Sequence, residues 1–310
     1  MLQLAYSPSS DDIELSHASE PYPSRRVRSH LPHPIPYQGS KRSLAPQILT
    51  HLGERTFRRF YEPFAGSAAM TLAATHAHVA SEYVIGDILA PLMDIWVHVQ
   101  SSPNELANAY EQVWYEQLNQ DAYYYNRIRE QYNTSPQPAL LLYLLTRCVK
   151  NAPRFNRQGH FNQSHDKRRL GMHPQKMRQE LLQASVLLQR HTYIKQGDFT
   201  ETLADATSDD IVYLDPPYEG TSTGSDRRYY QSLERDRLVE LLATLNERQI
   251  SFLLSYDGRC GTKTYGSALP ESLHLTRLEL HAGRSSQATL HGREDVTVES
   301  LYVSNNLQHS

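Results

Sequence analysis

Cysteine is nearly absent: only Cys148 and Cys260 occur among 310 residues. Two thiols cannot build a disulfide framework, so a reducing, cytoplasmic setting is expected. Long apolar runs are also missing. The longest is "ALLLYLL" at 139–145, far short of the roughly 20 residues that span a bilayer. The N-terminus is polar and carries no apolar signal-peptide core. Glycine is sparse at 14 residues, and no G-x-G-x-x-G occurs. "GSKRS" at 39–43 lacks the upstream glycine of a phosphate loop. Dinucleotide and ATP sites are therefore poorly supported. The 15 histidines are scattered, none with ligand spacing to other His, Cys or acidic residues, so no metal site is expected.

What is present is a hydrophobic fraction of 39%, enough for a sizeable core, and a net charge of −3 that conceals a segregation. Nine cations (147, 150, 154, 157, 167, 168, 169, 176 and 178) face one acid, Asp166, between 147 and 178. That segment carries about +8 and the remainder about −11. A basic strip on a neutral protein is the footprint of a phosphate-backbone partner. A solvated helix face would carry the same charges. Here, however, the strip contains "RFNRQGHFNQS", with Phe155 and Phe161 set among Arg and Asn. Aromatics among cations serve base stacking and phosphate contact together.

Residues 1–34, rich in Ser, Pro and His, read as a disordered leader. A short helix is expected at 42–52. "RFYEPFAGSAAMTLAATHA" reads as a strand, a turn through Gly66 and an Ala-rich helix. "EYVIGDI" is a second strand, ending at Asp87. Residues 92–190 have helical spacing, with a strand conceivable only around 154–161. Strands return in "TYIKQGDF", "DIVYLDPPY" and "SFLLSYDG", with a helix at 235–248 and a closing hairpin in "LHLTRLEL" and "VTVESLYVS". Alternating strands and helices predict an α/β fold with a parallel sheet covered on both faces.

Chemistry gathers where strands stop. "LDPPYEG" at 214–220 ends an apolar strand on two prolines, which cannot continue a central ladder. Asp215 and Tyr218 are thereby held on a stiff corner. The turn "EPFAGSAAM" at 62–70 follows a strand and opens a helix, where open α/β sheets bind nucleotides. Asp87 stands where a carboxylate commonly meets a ribose. A lone glycine turn is usually ordinary turn chemistry, but three strand-end carboxylates (Glu62, Asp87, Asp215) plus "GDF" at 197–199 are more than that.

These parts resemble the Dam-like, DPPY-type DNA adenine-N6 methyltransferases. The order is theirs: "PYQGSK" at 36–41, "EPFAGSA" at 62–68, an inserted region, then "DPPY" at 215–218. "RFNRQGHFN" also resembles the family's R-Y-N-x-x-G-x-F-N. The resemblance runs from about Pro36 to Asn305. Two departures stand out. Ala68 replaces the second glycine of the turn, and "QSHDKRR" replaces the V-P-F-G that many relatives carry after "FN".

The resemblance implies a Rossmann-like methyltransferase sheet formed by 35–90 and 191–310, with 91–190 as a mostly helical target-recognition insertion. It implies S-adenosylmethionine as cofactor and methylation of adenine N6 in a specific double-stranded DNA sequence, with base flipping. Asp215 and the Pro216 carbonyl would accept the amine hydrogens, and Tyr218 would stack on the base. Tyr37, Lys41, Glu62, Phe64, Gly66, Asp87, Asp198 and Phe199 would form the donor site. Arg154, Phe155, Asn156, Arg157, His160, Asn162, Lys167, Arg168 and Arg169 would contact DNA. Phe155 and Asn156 are candidates for the wedge, and a core aromatic would read the same at 155. "EGTSTGSDRRYY" at 219–230 reads as a lid bringing Arg227, Arg228, Tyr229 and Tyr230 to the DNA, and a plain surface loop would read the same. The expected partners are double-stranded DNA and, for a modification enzyme, a cognate restriction endonuclease; a monomer without membrane or metal is expected. Three alternatives differ at the corner. A cytosine-N4 enzyme usually has Ser at 215, and a glutamine methyltransferase has Asn and needs no basic strip. An inactive DNA-binding module would keep the strip and lose the acid.

Overall fold

The computed structural model describes residues 31–120, 123–189, 191–217, 235–260, 263–265, 269–284 and 296–307. Its centre is a sheet ordered β3-β2-β1-β4-β5-β8-β7. These strands are β1 (Phe57–Glu62), β2 (Ala80–Asp87), β3 (Thr192–Gln196), β4 (Ile211–Leu214), β5 (Ser251–Cys260), β7 (Thr276–Arg284) and β8 (Val296–Val303). The short β6 (Lys263–Tyr265) pairs with the end of β5. The first five strands are parallel, while β8 and β7 run antiparallel. The sheet is thus mixed, as a closing hairpin on a parallel sheet requires. All four residues of β4 are buried, the signature of a central strand covered on both faces.

Side chains alternate across the sheet with period two. Phe60, Tyr83, Ile211, Tyr213 and Leu253 pack on one face with α1 (Ala45–Thr50) and α2 (Ala69–His76). Tyr61, Val84, Val212, Leu214, Phe252 and Leu254 pack on the other with α8 (Phe199–Thr202) and α9 (Arg235–Glu247). Between β2 and β3 the chain runs through α3 (Ala90–Ser101), α4 (Pro103–Glu116), α5 (Tyr124–Thr134), α6 (Pro138–Arg147) and α7 (Pro174–Leu188). Four of these five helices (α3, α4, α6 and α7) have proline in the first turn, where its missing N–H costs nothing. One apolar cluster continues from Ile85 and Leu72 through Trp96 to Leu144 and Leu181.

The expected leader extended to residue 34, but the chain is packed from Leu31 onward. Leu31 joins the core beside α1, and the His33 amide donates to the Glu180 carboxylate of α7. Residues 1–30 lie outside the described residues. The strand conceivable at 154–161 is a single antiparallel bridge, Phe155 to Phe161. Among the described residues no helix is long and apolar enough to cross a membrane.

Candidate active site

β1, β2 and β3 step outward in one direction, while β4 and β5 step the other way. Ligand crevices form at such a reversal, beyond the carboxyl ends of the strands. A cleft lies there. Its lining comes from the residues after β1 (Pro63–Ser67), β2 (Asp87–Leu89), β3 (Gly197–Phe199) and β4 (Asp215–Pro217). The segment Tyr37–Lys41 closes one side, and Pro153, Phe155 and Arg237 complete it.

The turn after β1 is clamped from three sides. Gly66 N–H donates to Asp87 Oδ2 at 3.0 Å, Ala65 N–H to the Gly86 carbonyl at 2.9 Å, and Trp96 Nε1 to the Gly66 carbonyl at 3.0 Å. Gly66 has φ of +48°, and a Cβ there would lie 3.4 Å from the Tyr37 ring. Ala68 also has a left-handed backbone, φ +47°. A side chain in that region costs on the order of 1 kcal/mol. The strain falls where the family carries its second glycine.

Asp87 also accepts from Leu89 N–H at 2.9 Å through Oδ1. The Ile88 amide also donates to it, and three backbone donors leave part of the carboxylate's acceptor capacity for a ligand hydroxyl. Burial raises the Asp87 carboxyl above its ordinary range, against the pull of these backbone hydrogen bonds. Asp198 caps α8 by accepting from Thr200 N–H at 3.0 Å. Phe199 and Phe64 have ring centroids 5.5 Å apart, tilted by 35°.

Lys41, expected at the donor end, lines the cleft, and its ammonium sits beside Asp215. It is 5% exposed and donates to Asp215 Oδ1 at 2.8 Å and to the Gly39 carbonyl at 3.2 Å. Glu62 does not line the cleft. Its carboxyl lies behind the turn and accepts from Met70 N–H at 3.4 Å, Thr71 N–H at 2.7 Å and Thr71 Oγ1 at 2.5 Å, capping the first turn of α2. Burial pushes it up to about 8, ahead of the opposing hydrogen bonds, and the nearby Asp215 charge adds to the rise.

Sequence reading missed Arg237. Its Nη2 meets both Asp198 oxygens at 3.2 Å, and its guanidinium lies 4.9 Å over the Phe199 ring. In "RDRL" it reads as one more cation on the polar face of an amphipathic helix, so only the fold exposes it. Ser40 and Ser67, in "PYQGSK" and "EPFAGSA", also line the cleft, with hydroxyls 2.8 Å apart; serine beside glycine in a turn carries no signal of its own.

The residues expected to meet DNA divide into groups. Phe155 is half-buried, lines the cleft and packs edge-on against the buried Phe161, centroids 5.5 Å apart. Gln38 N–H donates to the Asn151 carbonyl at 3.0 Å, which ties this segment to the cleft. Asn156 Oδ1 accepts from Gln158 and His160 N–H at 3.0 and 2.9 Å, so it shapes the tip of the loop. Arg157, His160, Asn162 and Lys167 are exposed, and Arg154 is half-buried. Arg168 forks onto Asp166, with two contacts of 2.9 Å. Arg169 reaches the Cys148 carbonyl at 2.7 Å and Asn151 Oδ1 at 3.0 Å. Arg178 pairs with Glu111 at 2.8 Å, and Lys176 with Glu180 at 2.7 Å. The strip is thus not one continuous free face. Tyr218, Arg227, Arg228 and the expected lid at 219–230 lie outside the described residues. Among the described residues no group of three or more His, Cys, Asp or Glu could hold a metal ion.

A family model for D12 class N6 adenine-specific DNA methyltransferases matches residues 37–282. Over 196 residues the chain is 30% identical to the retron Ec67 DNA adenine methylase of Escherichia coli, covering 61% of this chain and 65% of that protein. It is 27% identical to the modification methylase StsI of Streptococcus sanguinis, covering 84% and 41%. It is 28% identical to a DNA adenine methylase of Vibrio cholerae, covering 71% and 79%. The match spans less than two thirds of the first two relatives. With the cleft at the switch point and the acid–proline corner inside the matched region, the chain belongs to the D12 class N6 adenine-specific DNA methyltransferase family.

Proposed function

We propose that this protein transfers the methyl group of S-adenosylmethionine to the exocyclic N6 of adenine in double-stranded DNA, with the target base flipped out of the helix. The observation that carries this reading is the meeting of Asp87 and the Asp215–Pro216–Pro217 corner in one cleft at the switch point. The cleft suits the donor. Asp87 offers carboxylate oxygens for ribose hydroxyls, Phe64 and Phe199 offer walls for a flat base, and Ser40, Ser67 and the Tyr37 turn line the remaining side. When bound, the donor supplies an activated methyl group on a sulfonium.

The chain's own residues would do the rest by positioning and electrostatics. The adenine amine is a poor nucleophile because its lone pair is delocalised into the ring. Asp215 and the Pro216 carbonyl accept its two N–H groups and turn the lone pair toward the methyl. The Asp215 charge also stabilises the positive charge that develops on nitrogen. An adenine stacked in a duplex cannot reach this corner, and extrusion costs a few kcal/mol. In this reading Tyr218 stacks on the extruded base and Phe155 closes the near side. Residues 35–90 with 191–310 serve as the catalytic unit and 91–190 as target-recognition insertion. Incubation with labelled donor and plasmid DNA, followed by digestion to nucleosides, tests the activity. Label in N6-methyladenine is expected. Label in N4-methylcytosine would select the cytosine enzyme, and DNA binding without label the inactive module.

Asp87→Ala is expected to weaken donor binding by roughly ten- to hundredfold, since a charge-assisted contact contributes about 1.5–3 kcal/mol. The variant also frees the Gly66 and Leu89 amides, so the turn itself loosens. DNA affinity should barely change. Equilibrium binding of the donor checks this, and an unchanged affinity would remove Asp87 from the site.

The salt dependence of DNA binding tests the loop. Arg157, Lys167 and Arg168 are exposed there; Arg168 is forked onto Asp166 and Arg169 braces the 148–151 turn, so Arg157 and Lys167 are the pair to neutralise. Arg157→Gln with Lys167→Gln should flatten the log–log salt slope by about two units and weaken cognate and unrelated duplexes alike. Equal slopes for variant and wild type would move the DNA contact elsewhere.

A further inference from the structure

Glu299 lies in the closing hairpin strand β8 and belongs to none of the donor, corner or basic-strip motifs. Leu301 and Val303, the next residues on the same side of the strand, are buried in the apolar core. Glu299 is partly exposed, but one of its oxygens is shielded, and a shielded carboxylate oxygen favours a cationic partner. Gly258 of β5 pairs with Glu299 and lets β8 approach closely: a Cβ on Gly258 would stand 2.7 Å from the Val298 carbonyl. Glu299 Oε2 is buried, receives no hydrogen bond among the described residues, and stands 3.5 Å from Lys41 Nζ. The same ammonium is bonded to Asp215 Oδ1 at 2.8 Å. One buried cation therefore faces two carboxylates, one just past the end of β4 and one in the middle of β8.

We propose that Glu299 is a positioning residue for methyl transfer that acts through Lys41, offering the ammonium a second seat when the target amine takes up Asp215. The inference rests on the methyltransferase reading. A neutral Lys41–Asp215 pair does little to oppose positive charge developing on the amine nitrogen. It also leaves one Asp215 oxygen occupied by the ammonium. With Glu299 ionised, the three groups sum to −1, and Lys41 can turn toward Glu299 without leaving its charge unpaired. Glu62, behind the turn, adds no comparable charge at neutral pH because burial keeps it largely protonated.

Glu299→Gln keeps the shape and removes the charge. The single-turnover methylation rate of the full-length variant should fall about tenfold, the scale of one charge-assisted contact. Donor affinity, DNA affinity and Tm should stay at wild-type values, and Glu299→Asp should recover part of the rate. In a Lys41→Met background the same Glu299→Gln change should alter the rate by less than about twofold, because the residue it acts through is gone. An unchanged rate, a loss that follows Tm or donor affinity, or an equal loss in both backgrounds would overturn this role. An inactive wild type would overturn the methyltransferase reading itself, and this role with it.

Discussion

Asp215→Asn is expected to lower the single-turnover rate of methyl transfer by about 10²–10³-fold, the scale seen when one preorganised group facing developing charge is removed. Asparagine preserves volume and one acceptor, so the loss isolates the charge. The variant also leaves the buried Lys41 ammonium facing an amide in place of a carboxylate, which adds a cation next to the reacting nitrogen. Donor affinity should hold, since ribose contact is assigned to Asp87. Parallel measurement of single-turnover rate and donor binding checks the split. Binding lost together with rate would show that Asp215 belongs to the donor site.

The largest expected effect on stability lies at the opposite end of the sheet. Asp210 precedes β4 and is fully buried. It accepts from Arg58 Nη2 at 2.5 Å, Arg59 N–H at 3.0 Å, Thr207 N–H at 2.7 Å and Thr207 Oγ1 at 3.1 Å. Breaking a buried pair by removing one partner typically costs 3–5 kcal/mol. Arg58 is 38% exposed, so water recovers part of its solvation, and about 3 kcal/mol is expected for Asp210→Ala. The Arg59 and Thr207 amides that it strands account for much of that figure. Denaturant unfolding measures it. A loss below about 1 kcal/mol would mean that the loop before β4 rearranges and finds other acceptors.

The sequence was most informative where structure is local. Strand-end acids, the glycine turn and the proline corner are fixed by period-two burial and turn chemistry over a few residues. The four loops they mark line one cleft. Pairings across distance were illegible. Lys41 and Asp215 are 174 residues apart, and no local pattern announces their contact. Arg237 looks like surface charge until the fold sets it over Phe199. Glu62 and Arg169 show the reverse error. Each sits inside a motif, yet one carboxyl caps α2 and one guanidinium braces the 148–151 turn. Residue type and spacing indicate what a group can do, while burial and partners decide which of those things it does.

The most direct test is the state of adenine in DNA from cells that express this chain and lack other adenine methylation. Sequencing with modification detection should find N6-methyladenine at one recurring sequence in cells with the wild-type protein, and none in cells with Asp215→Asn at equal protein levels. Unmodified adenine in both, or methylation confined to cytosine N4, would contradict the account.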